Sequence, residues 1–263
     1  MSHKPRKRFG QNFLHDQAII QQIIDVIDPQ KGDRIIEIGP GQGALTELLL
    51  DELGHIEVIE LDRDLVPLLE RNMSPHGQIQ IYNEDVLKFD FSKLSTAANS
   101  LRIVGNLPYN ISTPLLFHLM DYLPTIIDMH FMLQKEVVER IVAQPNSKHY
   151  GRLSVMMQYY CEVEYLFTVG PEAFSPPPKV NSAIIRMAPH QSAHIKVKDE
   201  KSLSTVVRQC FAQRRKTLRN NLKGILTEEE IKSLEIDPGC RAETLTLADF
   251  AKLSDQLSSQ IEN

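Results

Sequence analysis

The sequence has no tryptophan, few aromatic residues (6%) and only three cysteines among its 263 residues. Cys161, Cys210 and Cys240 lie far apart and form no Cys-x-x-Cys pair, so the sequence indicates neither a disulfide framework nor a metal site. No uncharged apolar run approaches the roughly 20 residues that span a bilayer, so no membrane segment is expected. The basic N-terminal segment is followed by amphipathic sequence, which is not typical of a secretory signal, and we expect a cytoplasmic protein.

The composition is that of an ordinary globular protein with two local excesses of positive charge. Hydrophobic residues make up 42% and charged residues 24%, and the net charge is −5. Residues 1–15 nevertheless hold four basic and no acidic side chains, and residues 201–227 hold seven and none. Such runs are often only a solvated face, but the complete exclusion of acids favours contact with nucleic-acid phosphates. The candidate contacts are Arg6, Lys7 and Arg8 in the first run and Arg208, Arg215, Arg219 and Lys223 in the second.

Strand and helix patterns alternate through the first two thirds of the chain. The alternation predicts an α/β fold with a mostly parallel sheet and helices on both faces. Two later segments alternate apolar and polar residues, 163–169 and 182–187, and predict an antiparallel pair at the sheet edge. The other predicted strands are 34–38, 56–61, 79–82, 101–105 and 128–133, and the predicted helices are 16–28, 44–53, 63–72, 113–122, 135–143 and 152–160.

A polar segment around Pro189 separates this region from a helical C-terminal part. We therefore predict a larger domain over residues 1–190 and a small helical domain over residues 191–263, which would contact RNA. Within the smaller domain, apolar residues from Leu203 to Ile225 predict one long helix whose basic side chains lie on a neighbouring face.

A glycine-rich loop with Gly39 and Gly41 follows the first predicted strand of the sheet and precedes a helix. Such a loop lets the backbone approach a ligand at the carboxyl edge of the sheet, and Glu60, at the end of the next strand, is suited to a ribose diol. Asp85, after a third strand, can accept hydrogen bonds from an adenine amine or act as a turn residue. Both NAD and S-adenosylmethionine are compatible with these residues, and a tight turn without a ligand remains an alternative.

The choice between the two cofactors rests on four residues at the end of another predicted strand. They are Asn106, Leu107, Pro108 and Tyr109. An adenine exocyclic amine is a poor nucleophile because its lone pair is delocalised into the ring. The side-chain oxygen of Asn106 and a Leu107 carbonyl held by Pro108 can accept its two N–H groups, which localises that pair. Tyr109 can stack on the base. The sequence therefore predicts S-adenosylmethionine-dependent methylation of an adenine amine, in which positioning and electrostatics supply most of the rate.

A second aromatic ring would complete a sandwich around the base. Phe174, which is followed by Ser175 and three prolines, is the best candidate in the sequence. The alternative interpretation is a hydrophobic plug beside a polyproline turn.

Six motifs together resemble those of the ribosomal RNA small-subunit adenine dimethyltransferases. They are Arg8–Leu14, Glu37–Gly43, Glu60–Asp62, Glu84–Leu87, Asn106–Ser112 and Phe174–Ser182. The resemblance covers nearly the whole chain and implies a Rossmann-like class I methyltransferase fold. It implies that the substrate is two adjacent adenines near the 3′ end of 16S ribosomal RNA in the small subunit, each dimethylated. It also implies cofactor contacts by Asn12, Leu14, Gly39, Glu60, Asp85 and Asn106, with the N-terminal segment folded over the cofactor.

Other functions share some of these features. The macrolide-resistance adenine methyltransferases, which act on large-subunit RNA, have a similar motif set, but a strongly basic protein would be expected there, whereas the isoelectric point here is about 6.0. A non-catalytic nucleic-acid-binding relative would not need the complete cofactor loop. An NAD-dependent dehydrogenase gives no reason for the Asn106 to Tyr109 sequence, and a DNA adenine methyltransferase would need to flip the base from a duplex. We expect a monomer without metal.

Overall fold

The computed structural model describes residues 11–95, 97–192 and 195–261. Its strands are β1 (Phe13–Leu14), β2 (Ile35–Ile38), β3 (His55–Ile59), β4 (Gln78–Tyr82), β5 (Leu101–Asn106), β6 (Ile126–Gln134), β7 (Cys161–Val169), β8 (Phe174–Ser175) and β9 (Ser182–Pro189). Its α-helices are α1 (Gln17–Ile27), α2 (Ala44–Leu53), α3 (Val66–Met73), α4 (Ser112–Met120), α5 (Lys135–Ile141), α6 (Arg152–Tyr160), α7 (Glu200–Cys210), α8 (Leu218–Asn221), α9 (Glu228–Ser233) and α10 (Leu247–Ile261).

A seven-stranded sheet with the order β4-β3-β2-β5-β6-β9-β7 forms the centre of the fold. Strands β4, β3, β2, β5 and β6 run parallel to one another, and β9 pairs antiparallel with β6. All four residues of β2 are buried, as expected for a strand covered by helices on both faces. The predicted α/β fold with an antiparallel strand near its edge is therefore confirmed.

The order in which strands are added to the sheet reverses between β2 and β5. From β2 it adds β3 and β4 on one side, and it then returns to add β5 and β6 on the other. Glu37 of β2 is in register with Val104 of β5, so the two strands end side by side. In open α/β sheets, ligands bind at the carboxyl ends of the strands at such a reversal.

The fold also contains a two-stranded pair, in which β1 runs antiparallel to β8. Helix α1 follows directly, and Asp16 caps it by accepting hydrogen bonds from the backbone N–H groups of Ala18 and Ile19. The buried side chains of α1 belong to the apolar core together with Leu14 of β1. The N-terminal strand is thus fixed on one side by a ladder and on the other by a core helix.

The chain forms two compact units that do not coincide with the predicted domains. One unit comprises the chain up to Val138 and Glu164–Pro189, and the other comprises Glu139–Val163 and the chain from His190 onward. The prediction placed residues 139–163 in the first domain because their pattern continues the helix and strand alternation. In the second unit, however, Asn146 donates its N–H to the Glu243 carbonyl at 2.8 Å, a contact across almost a hundred residues that local pattern does not reveal.

The prediction of one long helix from Leu203 to Ile225 is wrong. Helix α7 ends at Cys210 and α8 begins at Leu218, with an irregular segment between them. The Asn221 side-chain amide donates to the carbonyls of Cys210 at 2.7 Å and Gln213 at 3.2 Å, so it satisfies backbone groups that the helix end leaves open. Apolar residues continue at helical spacing across this irregular segment, so the sequence pattern does not reveal the end of the helix.

None of the helices in the described part of the chain combines the length and apolar character needed to cross a bilayer.

Candidate active site

The glycine-rich loop lies at the carboxyl end of β2, where the sheet order reverses. The N–H of Gly39 donates to the Ile59 carbonyl at 2.9 Å, which ties the loop to β3. Gly41 has φ +59°, and a Cβ atom there would lie 3.0 Å from Cδ1 of Phe13. The left-handed backbone conformation therefore favours glycine at position 41, and the Phe13 ring leaves little space for a side chain there.

Glu60, one residue beyond β3, is buried beside this loop. Its Oε2 accepts a hydrogen bond from the Gly41 N–H at 3.3 Å, and its Oε1 accepts one from the Asp62 N–H at 2.7 Å. Burial raises the pKa of Glu60, and the backbone donors of Asp62 and Gly41 oppose that rise. The carboxyl group is thus held beside the loop by backbone N–H groups.

The N-terminal segment also lies beside Glu60 and the glycine-rich loop, in the lining of the same cavity. Gln11 donates its side-chain N–H to Asp62 at 3.0 Å, and the Asn12 carbonyl accepts a hydrogen bond from the Asn106 amide at 3.2 Å. Reasoning from residue types alone missed this contribution, since the segment shows neither period nor cluster, and only the family resemblance implied it.

The predicted catalytic loop begins at the last residue of β5. The Leu107 N–H donates to the Met132 carbonyl of β6 at 3.2 Å, and the Ile111 N–H donates to the Pro108 carbonyl at 3.1 Å. The hydroxyl groups of Tyr109 and Ser182 lie 2.7 Å apart, and burial raises the pKa of Tyr109. The loop is thus fixed at both ends and at its aromatic side chain.

These segments line one cavity. Asp85 contributes to its wall and also accepts a hydrogen bond from the Leu87 N–H at 3.1 Å, so it acts as a turn residue as well. Of the predicted cofactor and loop residues, the cavity brings together Asn12, Leu14, Gly39, Gly41, Glu60, Asp85, Asn106, Leu107, Pro108 and Tyr109.

Phe174 does not line this cavity. It pairs with Leu14 in the β1–β8 ladder, is 3% exposed and belongs to the apolar core. The prediction that Phe174 forms a second wall for the base is not met in this structure, because the short ladder turns the ring toward the core. The alternative interpretation, a hydrophobic plug, describes its position.

The predicted RNA contacts of the second unit are exposed but lie on different elements. Arg208 is on α7, Arg219 is on α8, Arg215 lies between these helices, and Lys223 follows α8. Arg219 is 3.7 Å from the Glu228 carboxylate. Arg6, Lys7 and Arg8 lie outside the described residues, and among the described residues no group of three or more histidine, cysteine or acidic side chains is arranged to hold a metal ion.

Glu37 also lines the cavity, although its sequence pattern predicts no role for it. The residue is 2% exposed, and its Oε2 accepts a hydrogen bond from the Thr46 hydroxyl at 2.6 Å. Burial raises the pKa of Glu37 to about 7, the Thr46 hydroxyl opposes the rise, and the nearby Glu60 adds to it. The residue therefore changes charge near neutral pH at the edge of the site.

We expect Glu37→Gln to remove one pH-dependent part of the stability. The folded chain keeps the Glu37 proton between pH 4.5 and about 7, where the unfolded chain has released it. This contribution is therefore complete at low pH and is lost as pH rises through the folded pKa. From pH 5 to 7.5, denaturant unfolding of the wild type should lose roughly 2 kcal/mol relative to Glu37→Gln. The exposed Glu52→Gln serves as control and should follow the wild type. Parallel curves for all three proteins would show that Glu37 is ionised throughout.

Comparison with known proteins gives consistent results. The model of the ribosomal RNA adenine dimethylase family matches residues 2–259. A ribosomal RNA small subunit methyltransferase A from Pseudomonas aeruginosa is 55% identical over 256 residues, which cover 97% of this chain and 96% of that protein. The protein of the same name from Acinetobacter baylyi is also 55% identical, with 97% and 93% covered.

Two crystal structures share the fold. A dimethyladenosine transferase from Plasmodium falciparum has a TM-score of 0.77 at 27% identity, covering 92% of this chain and 95% of that one. The 23S rRNA methyltransferase ErmE has a TM-score of 0.72 at 24% identity, covering 94% and 100%, and this likeness concerns the fold alone.

Proposed function

Since this chain belongs to the ribosomal RNA adenine dimethylase family, we propose that it dimethylates the exocyclic amines of two adjacent adenines near the 3′ end of small-subunit ribosomal RNA, with S-adenosylmethionine as methyl donor. The observation that carries the proposal is the position of Asn106. It ends β5 beside the glycine-rich loop of β2, in one cavity with Glu60 and Asp85. The chain is 55% identical, over nearly its full length, to proteins named for the small subunit, which supports this target over the large subunit.

The described residues fit the proposed cofactor. S-adenosylmethionine supplies an electrophilic methyl group on a sulfonium. The Gly39 and Gly41 backbone admits a close ligand, Glu60 offers acceptors for a ribose diol, and Asp85 offers acceptors for an adenine amine. Asn12 and Leu14 would hold the ligand from the N-terminal side.

The catalytic loop would activate the target amine by accepting its hydrogen bonds. The Asn106 amide donates from its nitrogen to the Asn12 carbonyl, which fixes the side chain and leaves its oxygen oriented away from that bond. This oxygen and the Leu107 carbonyl would accept the two N–H groups, and Tyr109 would stack on the ring. Because the amine becomes acidic once alkylated, no side chain need remove a proton before methyl transfer.

The test is methylation with labelled S-adenosylmethionine of three separate substrates, followed by mapping of the modified base. The substrates are small ribosomal subunits that lack the modification, large subunits and duplex DNA. We expect two neighbouring dimethyladenines in small-subunit RNA. Label confined to the large subunit would favour the macrolide-resistance type, and label confined to DNA would overturn the proposal.

We propose that Arg215 and Arg219 contact RNA phosphates. Replacing both with alanine should weaken binding to the small subunit and reduce the slope of log K against log salt by about one to two units. Arg219 should contribute less, since Glu228 already lies 3.7 Å from its guanidinium. Binding is measured by filter retention at several salt concentrations, and cofactor affinity should not change.

The matched control for this pair is Arg71→Ala, which removes an exposed arginine from α3 of the other unit. It should leave the salt slope unchanged. An unchanged slope in the Arg215 and Arg219 variant would return these side chains to an ordinary solvated face.

A further inference from the structure

Ser182 is a fully buried hydroxyl residue at the edge of the catalytic loop. It is 0% exposed, and it is the first residue of β9. It lies opposite Gln134 in the β6–β9 ladder, and the preceding carbonyl, of Asn181, accepts a hydrogen bond from the Lys135 N–H at 2.9 Å. The position of the Ser182 hydroxyl is therefore set by the central sheet.

The hydrogen bond between Ser182 and Tyr109 connects this fixed point to the catalytic loop. The two hydroxyl oxygens are 2.7 Å apart, and Tyr109 itself is partly exposed to the cavity that it lines. A tyrosine ring rotates about two side-chain bonds, and a hydrogen bond at its far end restricts both rotations. Burial raises the pKa of Tyr109, and the hydrogen bond with Ser182 opposes that rise.

A second hydrogen bond holds the backbone of Tyr109. The Tyr109 carbonyl accepts a hydrogen bond from the Ser112 hydroxyl at 3.1 Å, which fixes the backbone of the residue. The side chain, in contrast, extends away from that anchor, and Ser182 holds its other end. The ring is thus located between a helix start and a sheet strand.

We propose that Ser182 is a positioning residue that holds the Tyr109 ring at the angle needed to stack on the target adenine. The proposal rests on the proposed function. Ser182 would act on the reaction only through Tyr109, without touching the base or the cofactor. The hydrogen bond to Tyr109 also satisfies a hydroxyl at a fully buried position of the sheet, where a hydroxyl without a partner would be costly.

The first test compares Ser182→Ala with Tyr109→Phe in methyl transfer to small subunits. Each variant loses the same hydrogen bond and keeps an aromatic ring at position 109. We expect kcat to fall about fivefold in each, a typical effect for one hydrogen bond. The KM for the subunit should stay within about twofold of the wild-type value, and so should the Kd for S-adenosylmethionine, which is measured by calorimetry. Ser182 contacts neither the subunit nor the cofactor in this proposal.

The double variant separates positioning from a general structural effect. If Ser182 acts through the tyrosine hydroxyl, Ser182→Ala in the Tyr109→Phe background should lower kcat by less than about twofold further. A full additional fivefold loss would overturn the proposal, as would an unchanged kcat in Ser182→Ala. Ser258→Ala, which removes a buried hydroxyl from α10, is the control and should leave kcat unchanged.

A spectroscopic readout tests stacking directly. Small subunits with 2-aminopurine in place of one target adenine should show quenched emission when the wild-type protein binds, because stacking on an aromatic ring quenches this base. Ser182→Ala at saturating concentration should quench less. Equal quenching by both proteins would contradict the proposal. Failure of the proposed function is a different result, since the wild-type protein would then leave the small subunit unmethylated.

Discussion

Replacement of Asn106 with alanine is expected to lower the rate of methyl transfer by about 10²- to 10³-fold. The side-chain oxygen would accept a hydrogen bond from the amine most strongly as that nitrogen forms its new bond, so its removal affects the transition state more than the bound cofactor. The Kd for S-adenosylmethionine should rise by less than about tenfold. This smaller effect has its own cause, since the alanine variant also loses the 3.2 Å hydrogen bond to the Asn12 carbonyl and loosens the N-terminal segment.

Single-turnover methylation of small subunits measures the first effect, and calorimetric titration measures the second. The matched control is Asn72→Ala, which removes an exposed asparagine from α3 and should change neither quantity. A variant at position 106 that turns over at the wild-type rate would remove Asn106 from the chemistry. If the variant no longer binds the cofactor, the main role of Asn106 is in cofactor binding and not in the chemical step.

The second large effect concerns stability and lies at the opposite end of β5. Replacing Arg102 with alanine should lower the free energy of unfolding by about 3–5 kcal/mol. The guanidinium is 10% exposed and donates to both carboxylate oxygens of Asp128, at 3.0 and 3.1 Å, and to Asp33 at 2.6 Å. It also donates to the carbonyls of Ile27 at 2.5 Å and Asp28 at 3.2 Å, at the end of α1. Its loss would leave a buried carboxylate and two helix carbonyls without this donor.

Denaturant unfolding followed by circular dichroism measures the change. The control is Arg34→Ala, which breaks a 2.7 Å ion pair with Glu57 but removes a side chain that is 43% exposed, so we expect at most about half the loss. Equal losses in the two variants would mean that burial of Arg102 adds nothing. The catalytic loop begins at the far end of the same strand, and folded Arg102→Ala should therefore retain its affinity for S-adenosylmethionine.

The sequence indicated much of the site because the relevant signals are local. Gly39 and Gly41 follow a β-branched run and precede a helical period, and the Asn106 to Tyr109 residues follow another such run. A strand, a loop and a helix in succession fix which residues stand at the carboxyl edge of a parallel sheet. The helix boundaries of α2 and α6 agree with their predicted ranges for the same reason.

Contacts between distant parts of the chain could not be predicted in this way. Phe174 was assigned to the base because it is aromatic and followed by prolines, but its pairing with Leu14 turns it into the core. The hydrogen bond between Tyr109 and Ser182 joins residues 73 positions apart, and the bond between Asn106 and Asn12 joins residues 94 apart. No periodicity connects such pairs.

By itself, then, the sequence determined the sheet, the glycine-rich loop and the acceptor groups of the catalytic loop, since propensity, period and turn chemistry act over a few residues. The tertiary structure decided which of these groups are held and by what: the N-terminal segment against Asp62 and Asn106, and Ser182 against Tyr109. It also decided that Phe174 is buried and that residues 139–163 belong to the second unit. The physical reason is that burial and long-range hydrogen bonds arise only when separate elements pack together, and packing depends on the whole chain.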